Sequence, residues 1–272
     1  MLHDKLETIW NHIKTEAYVI SCSEPILANF YYLTLLKHAS LSNAQNYVLS
    51  SKLASSVMPI INISEILEEA YTNDSSIIIS SAYDIKAILQ RDPAVNKYSI
   101  PLLYLKGFQA LQSYRVSHWL WNKGRRDLAI YLQNAISITF GVDIHPAAKI
   151  GYGIMLDHAT GIVIGETAVI ENDVSILQSV TLGGTGKSTG DRHPKIREGV
   201  MIGAGAKILG NIEIGQGAKI GAGSVVLKSI PPNTTAAGIP ARIVGNSSGD
   251  KKPSIEMDQY FSSIEYQFGE GI

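Results

Sequence analysis

From Val142 to Ile230 the chain is apolar at every sixth position. Ile144, Ile150, Leu156, Ile162, Ala168, Val174 and Val180 share one six-residue register, and after an interruption Ile196, Ile202, Ile208, Ile214, Ile220 and Val226 resume the spacing. A helix repeats near 3.6 residues and a strand at 2, so neither accounts for a period of six. Hexapeptide repeats build a parallel β-helix, each coil made of three hexads with one residue of each hexad turned inward. Small residues follow the inward positions, as in Ile202-Gly203-Ala204-Gly205-Ala206 and Ile220-Gly221-Ala222-Gly223-Ser224. Glycine suits such corners because it accepts positive φ without steric cost.

Glycine also divides the chain. Of 24 glycines, only Gly107 and Gly124 precede residue 141. The part before that point, rich in Leu, Ala, Lys and Glu, therefore reads as helical. Leu6, Ile9, Trp10 and Ile13 recur at helical spacing, as do Ile63, Ile66, Leu67 and Ala70. Ser40 and Ser42 are candidate N-caps. Asp92-Pro93 ends one helix, because the residue before proline leaves the α region, and two helices are expected between Pro101 and Phe140, divided near Gly124. The expected organisation is α+β in sequence order: a helical oligomerisation domain over 1–140, a parallel β-helix catalytic domain over 141–245, and a tail over 246–272. The tail begins Asn246-Ser247-Ser248-Gly249-Asp250, a composition that predicts a mobile linker.

The hexads break between Val180 and Ile196, where the step exceeds two hexads by four positions. Gly183, Gly184, Gly186 and Gly190 lie there with Lys187, Asp191, Arg192 and His193, which reads as a loop thrown out from a rigid scaffold, where function concentrates. Gly186-Lys187-Ser188 copies the end of a phosphate-binding loop, but Thr181 stands where its first glycine belongs and no helical pattern follows. His145, His158 and His193 are the three histidines of the repeat region. His158 projects near a coil corner, and Asp143 lies about one coil before it. A neutral imidazole suits a general base near neutral pH, and a carboxylate on its other nitrogen would hold the tautomer and stabilise the imidazolium.

Asp143-Ile144-His145-Pro146, Leu156-Asp157-His158-Ala159-Thr160-Gly161, the glycine-rich loop with Asp191-Arg192-His193-Pro194-Lys195, and Arg91-Asp92-Pro93 in the helical part together resemble the serine O-acetyltransferases among the hexapeptide-repeat acyltransferases. The resemblance covers nearly the whole chain and implies a left-handed coil. It implies transfer of the acetyl group of acetyl-CoA to the hydroxyl of L-serine, giving O-acetyl-L-serine and CoA. That reaction is the first step of cysteine biosynthesis from serine and is inhibited by cysteine. The resemblance assigns the base to His158 and its orienting carboxylate to Asp143. It places the substrate ammonium at Asp92 and Asp157, and the carboxylate at Arg192 and His193. Acetyl-CoA, a co-substrate with no metal required, would lie along Gly184, Ala204, Gly205 and Ala222, with Lys219 (and Lys207, two hexads before it) toward its phosphates and Arg242 near the adenine end. Trimers are expected to pair into hexamers through the helical part. The ending Phe268-Gly269-Glu270-Gly271-Ile272 resembles a docking tail for O-acetylserine sulfhydrylase, with Ile272 entering that partner.

Other readings are weighed on the residues themselves. Three histidines also suit a zinc-dependent β-helix hydratase, but Arg192 beside His193 disfavours a cation. A sugar acceptor fits the coil, yet Asp92, Asp157 and Arg192 favour an amino acid. The net charge of −1 gives no basic footprint for nucleic acid. No apolar run is long enough for a membrane span. Met1-Leu2-His3-Asp4-Lys5 does not resemble a signal peptide, and the single Cys22 fits a reducing compartment, so a cytoplasmic location is expected.

Overall fold

The computed structural model describes residues 2–186, 189–247 and 252–257. Helices come first: α1 (Leu2–Ser23), α2 (Ala28–Tyr31) running into a π-helical turn (Tyr32–Leu36), α3 (Leu41–Leu53), α4 (Ile60–Asn73), α5 (Ser76–Arg91), α6 (Ser99–Tyr104), α7 (Lys106–Asn122) and α8 (Arg126–Phe140). Of the two candidate caps, Ser40 starts α3, its hydroxyl accepting from the Asn43 N–H at 3.3 Å. The segment between Ser99 and Phe140 is three helices rather than two, because the chain turns extended at Leu105 before it turns at Gly124. Gly141, at φ 67°, then ends α8 and hands the chain to the coils.

The coils are parallel, and their strands stack on three faces. The first face holds Val142–Ile144, Ile162–Ile164, Thr181–Gly183, Lys207–Leu209 and Val225–Val226. The second holds Lys149–Ile150, Val169–Ile170, Lys195–Ile196 and Glu213–Ile214. The third holds Met155–Leu156, Ser175–Ile176, Met201–Ile202 and Lys219–Ile220, closed by an antiparallel hairpin of Thr234–Gly238 and Ala241–Asn246. Inward rows such as Leu156, Ile176, Ile202, Ile220 and Ala236 are buried to 5% exposure or less. Removing an Ile side chain of this kind from water is worth about 1.5–3 kcal/mol.

The stacking register corrects the even six-residue reading at one place. Leu156 stacks on Ile176, but Ile164, not Ile162, stacks on Ile144 above and Leu182 below. The first coil is therefore two residues longer than the regular three-hexad coil from Lys195 to Glu213, and the two extra residues fall in the corner between Leu156 and Ile162. The later interruption is larger than the spacing suggested. Val169 pairs with Lys195, so the coil between them carries eight residues more than the regular one.

Helices and coils share one core, and α5 is pinned to the coils by polar bonds. Asp84 is fully buried; its carboxylate accepts from the Ile154 N–H at 2.8 Å, Gln112 at 2.9 Å and Arg115 at 2.7 Å. Arg115 donates onward to the Gly151 carbonyl at 2.8 Å. At the end of α5, Arg91 donates to Ser175 Oγ at 3.1 Å and pairs with Asp173 at 3.2 Å. The tail does not remain a free linker throughout: Ser254 is buried, its carbonyl accepts from Ser175 Oγ at 2.8 Å, and Lys252 pairs with Asp173 and Glu198. Among the described residues no helix is long and apolar enough to cross a membrane.

Candidate active site

The corner from the third face to the first carries the two inserted residues, and they are absorbed by left-handed backbone. His158 and Ala159 stand at φ 54° and 61°, conformations uncommon outside glycine. The Ala159 N–H bonds the Asp157 carbonyl at 2.5 Å and the Thr160 N–H bonds that of His158 at 2.9 Å. This tight turn buries Ala159 and pushes His158 outward, its side chain 75% exposed. Strain of this kind persists where the surroundings over-determine it, typically at functional sites.

Asp157, Asp92 and His158 line one cavity of about 450 Å³, walled by Val95, Tyr104 and Leu156. Asp92 closes α5 and uses Oδ1 to accept from the Ala94 N–H at 2.9 Å, the turn-capping role open to any Asp before Pro. Burial pushes the Asp157 carboxyl up; His158 pulls it back, and the neighbouring Asp92 charge pushes it up again. Two carboxylates at one pocket favour a bound cation, because its charge relieves both their repulsion and their desolvation. Gly107 of α7 packs under this corner, and Lys106 reaches over to Thr160 Oγ1.

Beyond the His158 corner, the same corner is Gln178-Ser179 in the next coil and turns small in the two coils after it. The Ser179 N–H bonds the Thr160 carbonyl at 2.8 Å, Gly205 bonds Gln178 at 2.9 Å and Gly223 bonds Ala204 at 2.7 Å. Ala204, Gly205, Ala222 and Gly223 thus form a small-residue track in line with His158, beyond Gln178 and Ser179. At its far end the Gly238 N–H meets Ser224 Oγ at 3.2 Å, in the hairpin that carries an exposed Arg242.

The corner from the first face to the second gathers the other candidates. Glu166 pairs with Arg192 at 2.6 Å, which holds its carboxyl below the usual range. His193 is 7% exposed, packed against Gly165 and Gly184. His145 stacks edge-on against Trp121, its ring nitrogen accepting from the Ala147 N–H at 3.1 Å. Burial lowers the His145 and His193 imidazoles, and Arg192 adds to both effects.

One chain therefore splits the expected set. Asp92, Asp157 and His158 converge, with Ala204, Gly205 and Ala222 on the same corner. Gly184, Arg192 and His193 sit on another corner. Asp143 lies on the first face, accepting from Gln133 Nε2 at 2.7 Å. The carboxylate within ion-pair reach of His158 in the single chain is Asp157, at 3.9 Å. Lys219 does not share a face with Lys207, because two hexads are two-thirds of a coil, and it is buried at 7% exposure in the covered row of Met201 and Thr235. The three histidines divide between two corners, and no His, Cys, Asp and Glu group among the described residues is arranged to hold a metal. Lys187 and Ile272 lie outside the described residues. Lys106, Gly107, Glu166 and Thr167 were not singled out from the sequence; the signal for the last two was their place one long coil before Arg192 and His193.

A coil of hexads whose catalytic-type corner lies in line with a small-residue track defines a hexapeptide-repeat transferase, and the bacterial transferase hexapeptide model matches residues 193–228. The N-terminal model of serine acetyltransferases matches residues 9–113. The serine acetyltransferase of Escherichia coli K12 is 69% identical over 271 residues, covering 99% of both chains. A serine acetyltransferase structure in complex with cysteine superposes with a TM-score of 0.92 at 62% identity, covering 96% of this chain and 100% of that one. A complex with CoA superposes at 0.85 with 64% identity, covering 88% and 100%. The chain belongs to the serine acetyltransferase family, and it is an acetyl-CoA-dependent acyltransferase.

Proposed function

We propose that acetyl transfer from acetyl-CoA to L-serine takes place at the His158 corner, and that the site is completed by the Arg192 corner of a neighbouring copy. The convergence of Asp92, Asp157 and His158 on one cavity, in line with the small-residue track, carries this reading. The serine ammonium lies between Asp92 and Asp157. Its carboxylate meets Arg192, whose forked donors suit it, and His193. His158 accepts the hydroxyl proton as serine Oγ attacks the thioester carbonyl. The tetrahedral adduct then expels the CoA thiolate, a leaving group with a pKa near ~8.5 by analogy with cysteine, and the imidazolium returns the proton to it. Asp143 steadies the imidazolium once the copies meet. The pantetheine arm follows Ala204, Gly205 and Ala222, where no side chain obstructs it, toward Arg242, with Gly184 flanking the serine end.

Cysteine, which lacks the hydroxyl but keeps the ammonium and carboxylate, occupies the serine pocket and inhibits. The helical part pairs trimers into hexamers, the terminal Ile272 docks into O-acetylserine sulfhydrylase, and the protein works in the cytoplasm as the opening step of cysteine biosynthesis. The test is thiol release from acetyl-CoA with L-serine, compared with homoserine and a hexosamine. His158→Ala is expected to lower kcat by about 10²–10⁴-fold, the usual worth of a general base, while CoA still binds. Near-wild-type turnover in that variant overturns the assignment.

A further inference from the structure

His193 presents a question that its place in the site does not answer: which ring nitrogen carries the proton. The ring is 7% exposed, and its Nδ1 has two neighbours, both on Thr167: the backbone N–H at 3.2 Å and Oγ1 at 2.9 Å. A backbone N–H only donates, so Nδ1 must offer its lone pair. The hydroxyl is compatible with this. Thr167 Oγ1 accepts from the Arg192 N–H at 3.0 Å and the His193 N–H at 3.1 Å. A hydroxyl has two lone pairs and one proton, and both lone pairs are taken. With both taken, the hydroxyl cannot accept from Nδ1. The Asp191 carboxylate, which takes Lys195 at 2.5 Å, is also within reach of the Thr167 hydroxyl, so it is the backbone N–H, which can only donate, that fixes Nδ1 as the acceptor.

We propose that Thr167 is a positioning residue that locks His193 in the neutral Nε2–H form, so that His193 serves the reaction as a hydrogen-bond donor to the serine carboxylate and not as a second base. Nε2 has no partner among the described residues. It lies in a slot between two glycines: a Cβ added to Gly165 would fall 2.0 Å from Nε2, and one added to Gly184 would fall 3.3 Å from it. That leaves the Nε2–H open to a ligand oxygen entering the slot, to which it can donate. The charged groups around the ring are Arg192, Lys195, Glu166 and His145. Burial and Arg192 both disfavour a second proton on it, consistent with a donor that stays neutral while His158 cycles its charge.

This inference rests on the assignment of His193 to the serine site, and the experiment separates the two. Neutron diffraction from the deuterated full-length protein reads the tautomer directly; deuterium on Nε2, with Nδ1 bare, is expected. In kinetics, Thr167→Val should raise the serine KM about tenfold, the loss of one well-aimed hydrogen bond. The acetyl-CoA KM should stay unchanged, and Thr167→Ser should restore the serine value. His193→Gln, whose amide reaches the Nε2 position with a donor, should keep more of the serine affinity than His193→Asn, whose amide mimics Nδ1. Deuterium on Nδ1 overturns the proposal outright. Deuterium on Nε2 with the serine KM unmoved in Thr167→Val, His193→Gln and His193→Asn alike removes His193 from the serine site and overturns the donor role, while the His158 assignment stands or falls on its own variant.

Discussion

Gly107→Ala tests whether the His158 corner is held from beneath by α7. Gly107 has an ordinary helical backbone, and alanine is favoured over glycine inside a helix by about 0.8–1.0 kcal/mol, so helix propensity alone makes this variant more stable. Packing says the opposite. A Cβ at Gly107 stands 2.1 Å from the Leu156 carbonyl oxygen and 2.9 Å from the Ala159 Cβ. A carbon rests about 3.3 Å or more from a carbonyl oxygen, so helix and corner must separate by about 1 Å. Neither obstacle is the end of a flexible side chain that could swing aside. Overpacking of this kind costs about 1–3 kcal/mol, which outweighs or cancels the propensity gain, leaving a net loss of up to about 2 kcal/mol.

The catalytic consequence is larger than the change in stability. The displaced atoms are the backbone on either side of His158, and a misplacement of about 1 Å can cost about 10²-fold in rate. The measurement is kcat for thiol release at saturating serine, alongside Tm. Gly124→Ala is the control: at φ 78° it is strained, but no atom lies near its added Cβ and it is remote from the cavity, so Tm should fall while kcat holds. A Gly107→Ala enzyme with kcat within twofold of wild type refutes the claim that this contact positions His158.

Arg192→Ala should raise the serine KM and weaken cysteine inhibition together, since one pocket serves both; an unchanged serine KM with lost inhibition separates them. Asp157 sets an acid limit on serine capture. Its raised carboxyl must be ionised to hold the ammonium, so kcat/KM should fall as pH drops through that raised value, earlier than for an ordinary carboxylate. Asp92→Asn removes one of the groups that push it up, and should move the limb to lower pH in a kcat/KM–pH profile. Deleting Ile272 alone should abolish the complex with O-acetylserine sulfhydrylase and leave acetyl transfer intact, and equal calorimetric affinities with and without it would refute the docking role.

The coil was legible because a period of six leaves few other solutions, yet the most informative detail within it was hidden. Two inward rows run two residues apart, and both are apolar: Ile162 and Ile164 are each 1% exposed or less. Counting sixes from Leu156 lands on Ile162 without a jolt, although the residue that stacks on Ile144 is Ile164. The insertion that pushes His158 out of the wall was therefore masked by the hydrophobicity of its flanks. The long loop announced itself because its residues are polar and glycine-rich. Lys219 shows a different limit: spacing in hexads fixes the face a residue occupies, but not how far that face is buried.

Asp92 shows where sequence spacing stops carrying information. No periodicity relates the end of α5 to a corner of the first coil, and only the local sequence Arg91-Asp92-Pro93 marks it. What places it is the clamp on α5. Asp84, two turns earlier, holds the Ile154 N–H just before the third face, and Arg91, one residue before Asp92, holds Ser175 Oγ and Asp173 in the next coil. Those bonds fix the helix at two depths of the β-helix, and the chain leaving α5 can then only run past the corner that bears Asp157 and His158. The helical part is therefore bound to the coils by polar bonds as well as by apolar contact. The helices thus deliver one of the two carboxylates that line the cavity beside His158.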